Sequence, residues 1–189
     1  MKRLVIGISG ASGMPIAIEL LKELKNHPDW TSCLVISAGG EKTIEMESDH
    51  TVDEVKALAD ECYDIKNIGA SIASGTFQTE GMVIVPCSMK TVAGIANGYS
   101  DNLLLRAADV TLKERRKLVL VARETPFNTI HLKNMLELSR IGAIIMPPML
   151  TFYNHPETLQ DSINHIAGKI LDVFHIQYSK FKRWNPDNK

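Results

Sequence analysis

Cysteine is scarce in this sequence of 189 residues, and Cys33, Cys62 and Cys87 lie far apart and form no CxxC pair. An odd, widely spaced set argues against a disulfide framework or a structural zinc site and is typical of a reducing compartment. The formal net charge of −1 gives no electrostatic case for binding nucleic acid or an anionic membrane. No apolar run approaches the roughly 18–20 residues that span a bilayer, and no signal-peptide pattern precedes the first strand. We therefore expect a cytoplasmic protein that binds neither nucleic acid nor membrane.

Several catalytic patterns are missing as well. The sequence has no HxxxH spacing, no Cys–His pair and no Ser–His–Asp set in a matching order, so it predicts no metal site and no nucleophilic triad. The pattern GxSGASG at 7–13 is not the dinucleotide fingerprint GxGxxG, and no acidic residue ends the second strand to bind a ribose. The six histidines are scattered, and each favours a surface or helix role over a ligand role: His27, His50, His131, His155, His165 and His175.

The stretch 82–126 predicts the fold class. An apolar run at 82–85 indicates a buried strand, and a second run at 118–121 indicates another. Each run ends in a polar segment, and a helical stretch rich in small and then charged residues lies between them. Strand, loop, helical crossover and strand form the repeating unit of a parallel sheet.

The remaining chain continues this pattern. Further strands are predicted at 3–8, 30–37, 63–65 and 143–146. Amphipathic helices are predicted after Pro15, near Glu41, across 55–62, across 132–139 up to Gly142, and after Thr158.

No repeat, linker or break in composition divides the sequence. It therefore predicts a single α/β domain over 1–189, a three-layer Rossmann-like or flavodoxin-like fold with a central parallel sheet. The tail at 180–189 is charged and, apart from Phe181 and Trp184, has the composition of a disordered segment.

Loops at the carboxyl ends of parallel strands converge on one crevice, so their polar residues are candidates for a site. These loops supply hydroxyl groups and backbone amides for a phosphate, one arginine for a second anion or an electron-rich ring, and a carboxylate. For the first loop a tight turn without a ligand stays open, and Cys87 is either a small buried thiol or a nucleophile. The residues alone thus predict a mononucleotide-type cofactor site and do not select a reaction. The candidates are 9–13, Ser37, 88–91, Arg123, Glu124 and the loop around Tyr153.

At these positions the chain resembles the UbiX/Pad-type flavin prenyltransferases, the small B subunit of aromatic-acid decarboxylase systems. The resemblance covers nearly the whole chain and rests on GxSGASG at 7–13, PCSMKTVAGIANGYSDNLLLRAADVTLKERRKLVLV at 86–121, RETP at 123–126, HLKNMLELSRIGAIIMPP at 131–148 and FYNHP at 152–156. It implies transfer of the dimethylallyl group of dimethylallyl phosphate to N5 and C6 of reduced FMN. The product, prenylated FMN, then serves a partner UbiD-type decarboxylase.

The resemblance also implies roles for single residues. Contacts to FMN are implied for Gly10, Ala11, Ser12, Ser37, Ser88, Met89, Lys90, Thr91 and Arg123. Binding of the prenyl phosphate is implied for Tyr153, Lys169, Lys113 and Arg106, and catalytic roles for Ser12, Glu47, Glu124, Lys113 and Arg106. Many relatives carry arginine where this chain has Lys169. Lysine keeps the positive charge but cannot donate the two parallel hydrogen bonds of a guanidinium group. Glu47 or Glu124 is the proton acceptor or the acid that protonates the phosphate, and no metal is implied.

Lys113 raises a problem of position, because it precedes a strand and should lie at the wrong edge of the sheet for the site. Arg106 and Lys169 fall on helices rather than on strand-end loops. We expect a neighbouring subunit to complete the site, in keeping with the trimer-based homo-oligomers, up to dodecamers, of the family. Surface ion pairs are the alternative for these cations.

Three other functions remain open. A flavin-dependent cysteinyl decarboxylase shares the fold, but the loop PCSMKT lacks an asparagine, and His50 has no matching context. A non-catalytic flavin carrier and a direct decarboxylase of phenolic acids are the other two.

Overall fold

The structure, a computed structural model, describes residues 1–185 of the 189. Six parallel strands form one sheet in the order β3-β2-β1-β4-β5-β6. The four longest strands are almost wholly buried on both faces, which explains their near-continuous apolar sequences. The strands are β1 (Lys2–Ile8), β2 (Trp30–Ile36), β3 (Glu61–Tyr63), β4 (Gly81–Cys87), β5 (Lys117–Ala122) and β6 (Ile144–Ile145).

Helices cover both faces of this sheet and give the three-layer α/β architecture that the sequence predicts. One core cluster joins one face of the strands to α1 and α7, and the second joins the other face to α4, α5 and α6. The helices are α1 (Met14–Leu24), α2 (Ala38–Glu47), α3 (Val52–Lys56), α4 (Met89–Ala96), α5 (Leu103–Lys113), α6 (Thr129–Arg140) and α7 (Leu159–Val173), with a 3-10 turn at Ser71–Ala73.

Local sequence signals explain where most helices begin and end. Pro15 stands in the first turn of α1, where its missing N–H is no loss. Ser88, Asn128 and Thr158 cap α4, α6 and α7 by accepting a backbone N–H of the first turn. Gly142 follows α6 at φ 101°, a left-handed conformation that favours glycine and confirms the predicted end.

The prediction for 55–65 is wrong in its details. The helix predicted across 55–62 ends at Lys56, and the third strand is Glu61–Tyr63 rather than 63–65. Asp60 is the reason, because its carboxylate accepts hydrogen bonds from the Ser32 N–H (2.7 Å) and hydroxyl (2.8 Å). These bonds hold the chain beside β2, where Cys33 pairs with Glu61. No helix within residues 1–185 has the length and apolar character needed to cross a membrane.

Candidate active site

Strands β2 and β3 extend the sheet on one side of β1, and β4, β5 and β6 extend it on the other side. The strand order therefore reverses between β1 and β4, and open parallel sheets bind their ligands at such a switch point. Ser9 ties the two strand ends together. Its N–H and hydroxyl both donate to the Pro86 carbonyl (3.1 and 3.0 Å), and its Oγ accepts from the Ser88 N–H (2.8 Å). Ser9 is buried, so these bonds fix the loop after β1 against the loop after β4.

Two helices begin at this edge with serine caps. Ser37 Oγ accepts from the Gly40 N–H (3.1 Å) at the start of α2, and Ser88 Oγ accepts from the Thr91 N–H (3.3 Å) at the start of α4. The Ser88 and Thr91 hydroxyl oxygens lie 3.1 Å apart. The first two N–H groups of a helix have no partner within it, so the starts of α2 and α4 are both suited to an anion.

The start of α1 already holds an anion, the carboxylate of Glu47. Its Oε2 accepts from the backbone N–H of Gly13 (2.8 Å) and Met14 (3.1 Å), and the Ser12 hydroxyl also donates to it. These two N–H groups are therefore occupied by a carboxylate of the chain itself, whereas the sequence predicts only that the loops at this edge supply backbone amides for a phosphate. Partial burial raises the pKa of Glu47, but the three hydrogen bonds and the charge of Arg123 outweigh it, so the pKa lies below its usual range.

A cavity of about 490 Å³ opens beside this carboxylate. Its polar lining includes Ser12 and Arg123, from the loops after β1 and β5, as the strand-end rule predicts. It also includes Glu47, the last residue of α2, which that rule does not predict. Its apolar lining comes from α1, α7 and the segment after β6: Pro15, Ile16, Pro148, Leu150, Leu159, Ile163 and Ile166. The volume lies within the roughly 300–1,000 Å³ of small-molecule sites.

A second cavity of about 480 Å³ shares Ile166 with the first, so the two are neighbours. It brings together Tyr153 and Lys169, the two residues implied to bind the prenyl phosphate. The sequence does not predict the other charged and aromatic residues of its wall, which are His165, Asp172, Phe181, Arg183 and Trp184.

The C-terminal segment closes this second cavity. The Trp184 ring stands edge-on to Tyr153 with ring centroids 5.3 Å apart, and Phe181 lies against α7. A Cβ atom added at Gly168 would lie 2.5 Å from the Phe181 Cβ, so the glycine provides the space for this packing. The sequence offered one signal, two large aromatic residues in a charged tail. Residues 186–189 of that predicted tail lie outside the described residues.

The remaining implied site residues are not brought into either cavity. Arg106 pairs with Asp109 of its own helix (2.7 Å), and Lys113 pairs with Glu114 at the end of α5. Lys113 precedes the first residue of β5, so within one chain it lies at the sheet edge opposite Ser12, as the sequence predicts. Glu124 follows β5, and its carboxylate accepts from the Thr125 N–H (3.1 Å).

The structure settles the role of Cys87. Its side chain is fully buried at the end of β4, and burial raises the pKa of its thiol far above the ordinary value. A thiol that stays protonated is a poor nucleophile, so Cys87 is a core residue.

The comparisons with known proteins agree on one family. The Flavoprotein family model matches residues 1–175. Flavin prenyltransferase LpdB from Lactiplantibacillus plantarum is 54% identical over 187 residues, which cover 99% of this chain and 100% of that protein. Flavin prenyltransferase UbiX from Escherichia coli K12 is 50% identical over 186 residues, covering 97% and 98%. The chain belongs to the family of UbiX-like flavin prenyltransferases. The resemblance seen in the sequence motifs is thereby confirmed.

Solved structures support the same assignment for this flavin prenyltransferase. A dodecameric FMN-dependent UbiX-like decarboxylase from Escherichia coli O157:H7 superposes with a TM-score of 0.95 at 48% identity, over 97% of this chain and 99% of that one. AnUbiX (PadA1), in complex with FMN and dimethylallyl pyrophosphate, gives 0.95 at 45% identity over 97% of each chain. The peptidyl-cysteine decarboxylase EpiD reaches 0.60 at 21% identity, over 77% and 82%, and so shares the fold alone.

Proposed function

We propose that this flavin prenyltransferase transfers the dimethylallyl group of dimethylallyl phosphate to N5 and C6 of reduced FMN. Phosphate leaves with the electron pair of the ester C–O bond, and prenylated FMN passes to a UbiD-type decarboxylase. The observation that carries the proposal is the pair of adjoining cavities. One contains a hydrogen-bonded carboxylate and Arg123, and the other contains Tyr153 and Lys169.

The residues at the switch point fit FMN. The serine-capped starts of α2 and α4 suit its phosphate, with Ser37 at one and Ser88, Met89, Lys90 and Thr91 at the other. Ser12 and Arg123 line the first cavity, and Gly10 and Ala11 precede Ser12 in the loop after β1, so we assign all four to the flavin. When bound, the reduced flavin supplies the nucleophilic N5, the carbon C6 at which a ring closes, and an electron-rich face for the allylic group.

Tyr153 and Lys169 are placed to bind the leaving phosphate. A hydroxyl and an ammonium group both donate hydrogen bonds, and negative charge grows on the phosphate oxygens as the C–O bond breaks. Lys169 contributes a positive charge and donates hydrogen bonds from a single nitrogen. Arginine keeps the charge and adds donors, so we expect the Lys169→Arg variant to retain activity. Methionine has neither charge nor donor, so we expect the Lys169→Met variant to lose most of the activity.

Glu47 is the proton acceptor in this proposal. Its lowered pKa leaves it ionised at neutral pH, and an ionised carboxylate accepts a proton but cannot donate one. The Ser12 hydroxyl, which donates to Glu47, connects it to the cavity and relays the proton released when the ring closes at C6. We also assign Glu124 to the proposed site as its second carboxylate, because it directly follows Arg123 in the chain, although it lines neither cavity of the single chain.

The decisive experiment is anaerobic incubation of the purified protein with reduced FMN and dimethylallyl phosphate, followed by mass spectrometry of the flavin. We expect a gain of one C5H8 unit and release of inorganic phosphate, with neither product when the ester is omitted. An unchanged flavin mass contradicts the proposal. A carrier that only binds flavin leaves the mass unchanged, and a cysteinyl decarboxylase instead consumes a peptide with a C-terminal cysteine in the presence of oxidised FMN.

We also propose a homo-oligomer built from trimers, up to a dodecamer, in which Arg106 and Lys113 of one subunit complete the site of the next. The dodecameric relative supports this arrangement. Lys113→Ala and Tyr153→Phe chains, each with low activity alone, should regain part of it when co-expressed, because some sites then contain two intact halves. No recovery of activity in the mixed oligomers contradicts the proposal.

We further propose that residues 1–189 form one domain and that the protein is cytoplasmic.

A further inference from the structure

His165 is the one buried histidine among residues 1–185, with 7% of its surface exposed. It lies on α7, one turn before Lys169, in the wall of the cavity that also contains Tyr153. Tyr153 stands edge-on to its ring (centroids 5.7 Å apart), and Phe181 packs beside it at 5.2 Å. The ring is thus held by aromatic neighbours from two other segments of the chain.

The hydrogen bonding of His165 is one-sided. Its Nε2 lies 3.4 Å from the hydroxyl oxygen of Tyr153, a long hydrogen bond. Its Nδ1 is buried and has no hydrogen-bond partner among the described residues. A buried polar atom without a partner costs free energy, so a histidine here is hard to explain by packing alone.

Electrostatics keeps the ring uncharged. Burial, with the nearby charge of Lys169, lowers the pKa of His165 below 6.5. A neutral imidazole carries one N–H, on either nitrogen. Buried N–H groups without an acceptor are rarer than buried acceptors without a donor, which favours the proton on Nε2, the nitrogen that faces Tyr153.

We propose that His165 is a positioning residue that donates its Nε2–H to the Tyr153 oxygen and so directs the Tyr153 O–H toward the phosphate ester. The inference rests on the proposed function, because it assigns a direction to a hydroxyl that we place on the leaving phosphate. An ionised phosphate oxygen can only accept hydrogen bonds, so Tyr153 must donate its O–H to it. The Tyr153 oxygen can then only accept a hydrogen bond from His165. Linked hydrogen bonds polarise one another, and such contacts often shorten once a substrate is bound.

A double-mutant cycle with Tyr153 tests the proposal. We expect His165→Leu to lower kcat/KM for dimethylallyl phosphate about five- to tenfold, the effect of losing one hydrogen bond. FMN binding should not change. His165→Gln, which retains an N–H donor on a side chain of similar reach, should restore kcat/KM to within about twofold of wild type. In the Tyr153→Phe background the effect of His165→Leu should disappear, because no hydroxyl is left to direct.

His27→Leu is the matched control, because His27 follows α1 at the opposite sheet edge and the hydrogen bond of its side chain goes to Glu23. It should leave kcat/KM unchanged. Equal losses from His165→Leu with and without the Tyr153 hydroxyl, or no rescue by His165→Gln, assign His165 to packing and overturn the inference. A wild-type protein that leaves the flavin mass unchanged overturns the proposed function and this inference together, whereas a prenylating wild type without coupling overturns this inference alone.

Discussion

At the scale of the residue, Glu47 is the side chain whose role depends most on its surroundings. It is the last residue of α2, yet it receives two backbone N–H groups from the first turn of α1. The positive end of a helix stabilises a carboxylate in this position, so Glu47 both caps α1 and presents an ionised carboxylate to the first cavity, where we propose that it acts as the base.

We expect Glu47→Gln to reduce kcat for flavin prenylation by about 10²–10⁴-fold, the usual contribution of a general base, while FMN binding remains. The side-chain carbonyl of the glutamine can still accept hydrogen bonds from the two backbone N–H groups, so the fold should survive with a free energy of unfolding lower by about 1 kcal/mol. Steady-state kinetics and urea unfolding measure the two effects. Glu45→Gln, at an exposed residue of the same helix, is the control, and comparable kcat values for the two variants argue against Glu47 as the base.

The pH dependence has a definite sign. The folded pKa of Glu47 is below 4.5, so the carboxylate is ionised above that value and available for the proposed proton transfer, and it becomes protonated as the pH falls through its lowered pKa. Its contribution to stability is likewise present above the unfolded pKa and lost below the folded one. An acidic limb of the rate profile that lies above pH 5 and disappears in Glu47→Gln contradicts this assignment.

At the scale of the element, the loops after β1 and β4 act as one unit because Ser9 joins them. We expect Ser9→Ala to lower the free energy of unfolding by about 1–3 kcal/mol, since it leaves the partly buried Ser88 N–H without its acceptor. The same change should weaken FMN binding, because Ser88 begins α4. Urea denaturation and flavin titration measure both losses. Ser74→Ala, at an exposed serine in the loop before β4, is the control, and a flavin affinity equal to wild type in Ser9→Ala counts against the coupling.

Helix α7 and the C-terminal segment form a second coupled unit. Gly168→Ala should destabilise the full-length protein and raise KM for dimethylallyl phosphate, because the added methyl group displaces Phe181 and with it Trp184 from Tyr153. In a chain that ends at Lys180, the same substitution should instead stabilise by up to about 1 kcal/mol, the helix propensity gained over glycine. Thermal unfolding of the four proteins measures the change of sign. Destabilisation by the same amount in both chain lengths excludes Phe181 as the cause.

At the scale of the whole molecule, exposed apolar side chains concentrate in two segments, α6 with its C-terminal end and the segment around 149–159. These side chains are too exposed to belong to the hydrophobic core, and contiguous exposed apolar surface is typical of protein–protein interfaces. The side chains are Ile130 67%, Leu132 53%, Leu136 51%, Ile141 61%, Met149 66%, Leu150 59%, Phe152 75% and Leu159 74%.

If the proposed oligomer with a shared site is correct, we expect Leu136→Asp to dissociate it and to abolish prenylation, because an isolated chain would lack Arg106 and Lys113 of the neighbouring subunit. Analytical ultracentrifugation and flavin mass spectrometry report the two effects. Ile68→Asp is the matched control, since Ile68 is also an exposed apolar residue (62%) and lies outside both segments. A fully active monomer refutes the shared site.

Patterns along the sequence predict most of the strand-and-helix order, the parallel sheet and the loops that carry Ser12, Ser37, Ser88 and Arg123. These features follow from local signals, namely apolar runs, caps and turn residues, and from the rule that parallel strands end at one edge. Contacts between segments that are distant in sequence become visible only in the folded chain. Glu47 occupying the start of α1, Asp60 ending the third helix early, and the tail enclosing His165 all depend on side chains that approach across the fold. Such contacts leave no periodic pattern along the chain, so the sequence could name Glu47 through resemblance but could not place its carboxylate.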